Sequence, residues 1–299
     1  VTASEKKILI TGGSGYLGSA ISEHLVQNGH TVHILDIMPP AFTHPAQRFF
    51  HCGVSDGPVV KESLDGCDWI IYLAGVSDGR AGRKDPSATQ RSNVTHFKSF
   101  LDSLHGRMKR FIFASTFGVY GNNYHEPLTE QLPAHPQEPY SASKAQAESM
   151  LREEAGRMQI VVLRLAMAFG QAPQMRYDFI VNTMLKQAVE TGKLEVWGGE
   201  QRRPQIATKD VAAAMQKLLY APLPGNYNLY NLGGSNPSLM EMALQIREAV
   251  GNAEIIKKPG RENENSFELD TSKIERELGI TCPTTIAQAA AEMAAQIRI

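Results

Sequence analysis

Lys7-Ile8-Leu9-Ile10-Thr11-Gly12-Gly13-Ser14-Gly15-Tyr16-Leu17-Gly18 runs an apolar strand straight into a helix start through closely spaced glycines. Ile8, Leu9 and Ile10 suit a strand covered on both faces, and the helix is expected to begin near Tyr16. Glycine at 12 and 15 lets the backbone turn tightly and come close to a ligand. The helix N-terminus that follows offers unpaired N–H groups and a partial positive charge, the pairing that cradles a pyrophosphate. Gly18 would let helix and strand pack closely.

The stretch that follows strengthens this reading. Leu17, Ile21 and Leu25 share a helical face, Gly29 ends the helix, and Thr31 to Leu35 reads as a second strand closed by Asp36. A carboxylate a little over 20 residues past the glycines stands where the adenosine ribose hydroxyls of a dinucleotide are expected. It would repel a 2′-phosphate, which favours NAD over NADP.

Composition narrows the function classes. At 299 residues and 42% hydrophobic content the chain can bury a substantial core without staples. Thirty basic residues against 31 acidic ones give no overall field for nucleic acid or an anionic membrane. Cys52, Cys67 and Cys282 lie far apart, so neither a disulfide framework nor a zinc site is indicated, in keeping with a reducing cytoplasm. Without a long apolar run or a signal-peptide core, the expectation is a cytoplasmic protein.

Further along, strands are expected at Arg48 to Gly53, Trp69 to Leu73, Arg110 to Ala114 and Ile160 to Leu165, with helices at Pro58 to Leu64 and Pro86 to Leu104. Phe97, Phe100, Leu101 and Leu104 form an apolar stripe on the last of these. Ala74-Gly75 would let a cofactor lie against a strand end, and the polar, glycine-rich run Ser77 to Lys84 reads as a loop beside a substrate site or as a plain solvated one. This alternation predicts an α/β fold with a doubly wound parallel sheet. Past Gly170 the rhythm changes to helix at Asp178 to Glu190, strand at Leu194 to Trp197, helix at Val211 to Tyr220, strand at Asn228 to Leu232, and helices at Ser238 to Val250 and Thr284 to Ile297. The division expected is a dinucleotide-binding domain over residues 1–170, rejoined by 205–232, and a smaller C-terminal α/β substrate domain over 171–204 and 233–299.

Pro139-Tyr140-Ser141-Ala142-Ser143-Lys144 opens a helix with Tyr140 and Lys144 one turn apart on one face. A tyrosine with a reference pKa near 10 is a poor base at neutral pH. A lysine cation and an oxidised nicotinamide ring would favour its phenolate. Thr116, delivered with Ser115 at a strand's carboxyl end, could then orient a substrate hydroxyl whose proton Tyr140 accepts while a hydride leaves the same carbon.

With these motifs in place the sequence resembles the extended short-chain dehydrogenase/reductases, in particular their NAD-dependent nucleotide-sugar epimerase and dehydratase branch. The resemblance rests on Thr11 to Gly18, Leu73-Ala74-Gly75, Ser115-Thr116 followed by Val119-Tyr120-Gly121, and Pro139 to Lys144. It extends to Arg203 to Val211 and Tyr230-Asn231-Leu232-Gly233-Gly234. It implies Thr116, Tyr140 and Lys144 as catalytic residues. It also implies cofactor contacts at Gly12, Gly15, Tyr16, Leu17, Gly18, Asp36, Val54, Leu73, Ala74, Gly75, Asn93, Ser115, Tyr140 and Lys144. Substrate contacts would come from Ser77, Thr116, Tyr140, Met167, Arg203 and Arg261, the two arginines matching the family's pyrophosphate pair. Arginine forks suit a diphosphate, although both could equally be surface residues in polar loops.

Departures from the family pattern refine the activity. Dehydratases carry Asp-Glu after the serine-threonine pair, where Phe117-Gly118 stand here, so elimination of water is disfavoured. Gly53 replaces an aspartate near the adenine, and Met167 an asparagine that often touches substrate. The reading that results is an NAD-dependent epimerase of a nucleotide-diphosphate sugar, acting at C4 as a homodimer with neither nucleic acid nor membrane as partner. A net dehydrogenase or reductase of the same family is the alternative, and an NAD-binding regulatory protein without turnover stands as a reading of another class.

Overall fold

The computed structural model describes residues 6–77, 79–104, 108–122, 127–251, 253–260 and 265–297. In chain order, β1 (Lys7–Thr11), α1 (Tyr16–Gln27), β2 (Thr31–Asp36), β3 (Gln47–His51), α2 (Gly57–Ser63) and β4 (Trp69–Tyr72) build the first half of a parallel sheet. Then come α3 (Gly79–Lys84), α4 (Pro86–Gln90), a π turn (Arg91–Thr95), α5 (His96–Ser103), β5 (Arg110–Thr116), α6 (Pro139–Glu153) and β6 (Gln159–Leu165). The remainder is β7 (Met167–Phe169), α7 (Ile180–Thr191), β8 (Lys193–Trp197), β9 (Gln205–Ala207), α8 (Thr208–Tyr220) and β10 (Tyr227–Leu232), followed by α9 (Leu239–Val250), β11 (Glu254–Lys258), α10 (Ser272–Leu278) and α11 (Ile286–Ile297).

Seven strands form the main sheet in the order β10-β6-β5-β4-β1-β2-β3, every neighbouring pair parallel. The order reverses direction at β1, and ligands of such sheets bind beyond the carboxyl ends at that reversal. Because side chains alternate along a strand, Ile8 and Ile10 enter the core shared with α1 and α8, while Leu9 enters the core with Phe97, Phe100 and Leu101. This double burial is why the central strands read as continuous apolar runs. A separate core gathers Phe169, Val181, Leu185, Leu194, Met242, Ile246, Ala290 and Met293 from α7, β8, α9 and α11.

Three local expectations change. The run Ser77 to Lys84 is not all loop: Gly79 to Lys84 coil into α3, which lies against the start of α6 so closely that a Cβ at Gly82 would stand 2.9 Å from the Tyr140 Cβ. The helix expected from Pro86 to Leu104 is α4 and α5 joined through the π turn, with its apolar stripe buried as anticipated. Short strands β7, β9 and β11, and α10, lie where no element was expected; β11 is held by parallel pairing with β8.

Gly18 is the contact point of α1 with the glycine turn. A Cβ there would overlap the Gly12 carbonyl oxygen and stand 2.7 Å from the Gly13 Cα, both backbone atoms that cannot rotate away. Gly18→Ala is therefore expected to lose about 1–3 kcal/mol of stability together with most NAD affinity, measured by urea unfolding and by NAD titration.

Candidate active site

The glycine turn has the shape of an open cradle. Gly12 takes φ +72°, a left-handed conformation natural to glycine, and a Cβ on it would press within 2.8 Å of the Ala74 backbone nitrogen. Gly15 is exposed, and α1 begins after it with no side chain capping its N–H groups. Donors and dipole are thus turned toward the place a pyrophosphate would take. Asp36 closes β2 with both carboxylate oxygens accepting backbone N–H groups, Oδ2 from Ser14 and Oδ1 from Met38, each at 3.0 Å. A carboxylate oxygen has two lone-pair sites, so each keeps one for a ribose hydroxyl. The residues present therefore fit a dinucleotide.

Leu73, Ala74 and Gly75 continue from β4, and the Leu73 amide donates to the Thr11 carbonyl (3.0 Å). Asn93, in the π turn, braces this edge: its amide nitrogen donates to the Val76 carbonyl and to Ser143 Oγ (both 3.0 Å), while its oxygen accepts the Val76 N–H (2.8 Å). π turns recur at functional sites, and here one ties the β4 end to α6. Val54 is half-buried against the apolar cluster beneath β2 and β4.

Tyr140 and Lys144 stand on α6 as the spacing predicts, and Thr116 ends β5. Thr116 Oγ1 accepts the Gly118 N–H (3.1 Å), which leaves its own proton to offer. Lys144 is buried, its Nζ donating to the Ala114 carbonyl (2.8 Å) and lying 4.6 Å from the centre of the Phe113 ring. Burial pulls its pKa down to about 8, against the opposing pull of the Glu148 carboxylate one turn on.

Beneath this surface lies a buried network. Ser115, expected to touch cofactor, turns its hydroxyl inward to Glu148 Oε1 (2.5 Å), so any such contact falls to its backbone. Glu148 also accepts a fork from Arg164, Nε to Oε1 at 3.1 Å and Nη2 to Oε2 at 2.7 Å. Burial works against the Arg164 charge, but the hydrogen bonds and charge of Glu148 outweigh it and hold that pKa above its ordinary value. Arg164 packs 4.6 Å from the Tyr120 ring centre, and the Tyr120 hydroxyl donates to Asn231 Oδ1 (2.6 Å).

Other expected contacts are placed as follows. Tyr16 reaches across to the second core: its hydroxyl donates to the Gly170 carbonyl (2.5 Å) and accepts from Asn182 Nδ2 (2.9 Å), and burial raises its pKa strongly. Ser77 Oγ accepts from Arg176 Nη1 (2.7 Å). Met167 is half-buried in β7, paired with Gln205. Arg203 donates through Nη1 to the Arg202 carbonyl (2.8 Å) and to that of Asn265, with its guanidinium 5.7 Å from the Phe267 ring centre. Arg261 lies outside the described residues, so its pairing with Arg203 is not placed. Among the described residues no group of His, Cys, Asp and Glu could hold a metal ion, and no helix is long and apolar enough to cross a membrane. Glu148, Arg164 and Asn182 were not singled out from the sequence, although Glu148 at four residues past Lys144 shares its helical face.

A dinucleotide cradle beside a tyrosine-lysine pair at the sheet's carboxyl edge defines a nicotinamide-dependent enzyme. Residues 8–233 match the model of the NAD dependent epimerase/dehydratase family, and the chain belongs to that family, with NAD as its cofactor. It is 30% identical over 264 residues to the low-salt glycan biosynthesis protein Agl12 of Haloferax volcanii, covering 83% of each chain. It is 27% identical over 271 residues to a UDP-glucose 4-epimerase of Streptomyces lividans, covering 82% of each. Its fold is similar to that of UDP-glucose 4-epimerase from Thermotoga maritima, with a TM-score of 0.87 over 98% of both chains at 23% identity.

Proposed function

We propose that the chain epimerises the sugar of a nucleoside-diphosphate sugar at C4, with Thr116, Tyr140 and Lys144 as catalytic residues. The observation that carries this reading is the convergence of those three at the mouth of the cradle, without an acid pair after Thr116. The position after Phe117 is closed as well: a Cβ at Gly118 would come within 2.7 Å of Ser141 Oγ, which disfavours a larger acid side chain there.

Thr116 donates to the sugar C4 oxygen and orients it. Tyr140 takes the C4 hydroxyl proton and returns it later, and the Lys144 charge favours the phenolate between those moments. Bound NAD supplies a hydride acceptor and, in the second half, a hydride donor. The pocket must let the 4-keto sugar turn over before hydride returns to its other face. Residues 1–170 and 205–232 hold the cofactor in this reading, and residues 171–204 and 233–299 hold the substrate, with Arg203 and Arg261 at its diphosphate.

Two outcomes are expected. Since Lys144 loses its charge as pH rises through about 8, kcat/KM should fall along an alkaline limb near that value; a flat profile from about pH 7 to 9 would remove Lys144 charge from the mechanism. A homodimer through α5 and α6 should scatter light as twice 32.8 kDa, and a monomeric mass at micromolar concentration would contradict it.

The test of the activity is a panel of UDP-, GDP- and dTDP-sugars incubated with the NAD-loaded protein while reduced-cofactor absorbance is followed. Interconversion of two sugars without net absorbance change supports an epimerase. Steady formation or loss of NADH would make the enzyme a dehydrogenase or reductase instead.

A further inference from the structure

Two arginines from separate parts of the chain converge on one carboxylate beside the catalytic tyrosine. Arg176 grips Asp178 with a fork, Nε to Oδ1 at 2.9 Å and Nη2 to Oδ2 at 2.7 Å. Arg80, on α3, approaches from the other side, Nη2 to Oδ2 at 2.9 Å and to the Asp178 carbonyl at 2.9 Å. Ser77 adds a hydroxyl bonded to Arg176. The third arginine here, Arg83, is paired with Glu138.

The place of this cluster is set by packing on two sides. α3 lies on α6 at Tyr140, through Gly82. Phe179, next after Asp178, packs 5.7 Å from the Tyr16 ring, at the start of the cofactor-binding helix, and Arg176 covers Phe179 at 4.4 Å. The two guanidiniums therefore stand between the catalytic tyrosine and the cradle, beside the position a substrate's sugar takes if the function proposed above holds, and the inference rests on that reading.

Two guanidiniums facing one carboxylate leave a net positive charge, and their planar forks match carboxylate geometry better than that of single hydroxyls. Asp178 acts as a stand-in anion that keeps both arginines oriented before substrate arrives. Exchanging it is inexpensive, because the side chains of Arg80 and Asp178 are 63% and 40% exposed and such pairs contribute at most about 1 kcal/mol. The Arg176 guanidinium, seated on the Phe179 ring, is already oriented and loses little freedom on binding.

We propose that Arg80, Arg176 and Ser77 form a receptor for a carboxylate on the substrate's sugar, so that the preferred substrate is a nucleoside-diphosphate hexuronate rather than a neutral hexose. The carboxylate at C6 would meet the guanidiniums while Thr116 and Tyr140 address the C4 hydroxyl.

The test compares the glucose and glucuronate forms of whichever nucleotide the panel selects, titrated calorimetrically into NAD-loaded protein, wild type and Arg80→Gln. The expected result is glucuronate bound about tenfold or more tighter than glucose, as one added charged hydrogen bond implies, with the ratio falling toward one in Arg80→Gln. Arg80 is exposed, so folding should persist, and a thermal melt checks this. Glucose bound as tightly as glucuronate, or a preference that survives Arg80→Gln, overturns the receptor and leaves the epimerase reading standing. Binding of no nucleotide sugar overturns both.

Discussion

Tyr140→Phe is expected to lower kcat by about 10²–10⁴-fold while leaving NAD affinity nearly unchanged. The substitution removes one oxygen and nothing else. The neighbouring contacts that place this helix turn do not use that oxygen: Ser143 Oγ bonds the Tyr140 carbonyl (2.7 Å), and α3 packs on the Tyr140 Cβ through Gly82. Lys144 keeps its own anchor at the Ala114 carbonyl. If Tyr140 transfers the proton only as the C–H bond breaks, kcat and kcat/KM should fall together. Rapid-mixing kinetics with the sugar identified by the panel would measure both, and turnover within a fewfold of wild type would take the phenol out of the chemistry.

Glu148→Ala is expected to be the most destabilising single change considered, by about 3–5 kcal/mol. Arg164 and Glu148 side chains are only 5% and 7% exposed, so neither can recover water as a partner. Removing the carboxylate leaves a buried guanidinium unpaired and takes the acceptor from the Ser115 hydroxyl. Glu148→Leu combined with Arg164→Met should lose much less, since the pair is then replaced by apolar groups of similar size. Urea unfolding of the three proteins decides it: a double variant no better than Glu148→Ala would show that the network does more than neutralise two charges. Because Ser115 precedes Thr116, the single variant should also lose turnover.

The cofactor cradle was legible in the sequence because its requirements are local. Gly12, Gly15 and Gly18 answer to backbone space within one turn, Asp36 follows at the end of the next strand, and Tyr140 and Lys144 need only helical spacing. The central strands were legible because burial on both faces removes polar residues from them. α3 was hidden by its two glycines, Gly79 and Gly82, which lower helix propensity; it coils because α6 supports it and Arg83 pairs with Glu138 across the gap. β11, with two lysines and a glutamate in five residues, is a strand only through β8. The Glu148–Arg164 fork and the Tyr16–Asn182 bond join residues 16 and 166 positions apart on different elements, and no spacing rule reaches them. The arginines on Asp178 are of the same kind: Arg80 and Arg176 meet only after the chain has returned across the sheet.

The sheet's outermost strand carries a consequence for synthesis of the chain on the ribosome. β10 pairs with β6, yet it is translated only after α7, β8, β9 and α8. During that interval, about 3–12 s at roughly 5–20 residues per second, the backbone edge of β6 has no strand beside it, and every residue of β6 except Gln159 belongs to the buried set. Such an edge invites pairing with another nascent chain. The emerging protein must therefore wait, with its first six strands made and one side open, for a strand encoded some sixty codons downstream, which makes this interval the point at which slowed translation would do the most harm.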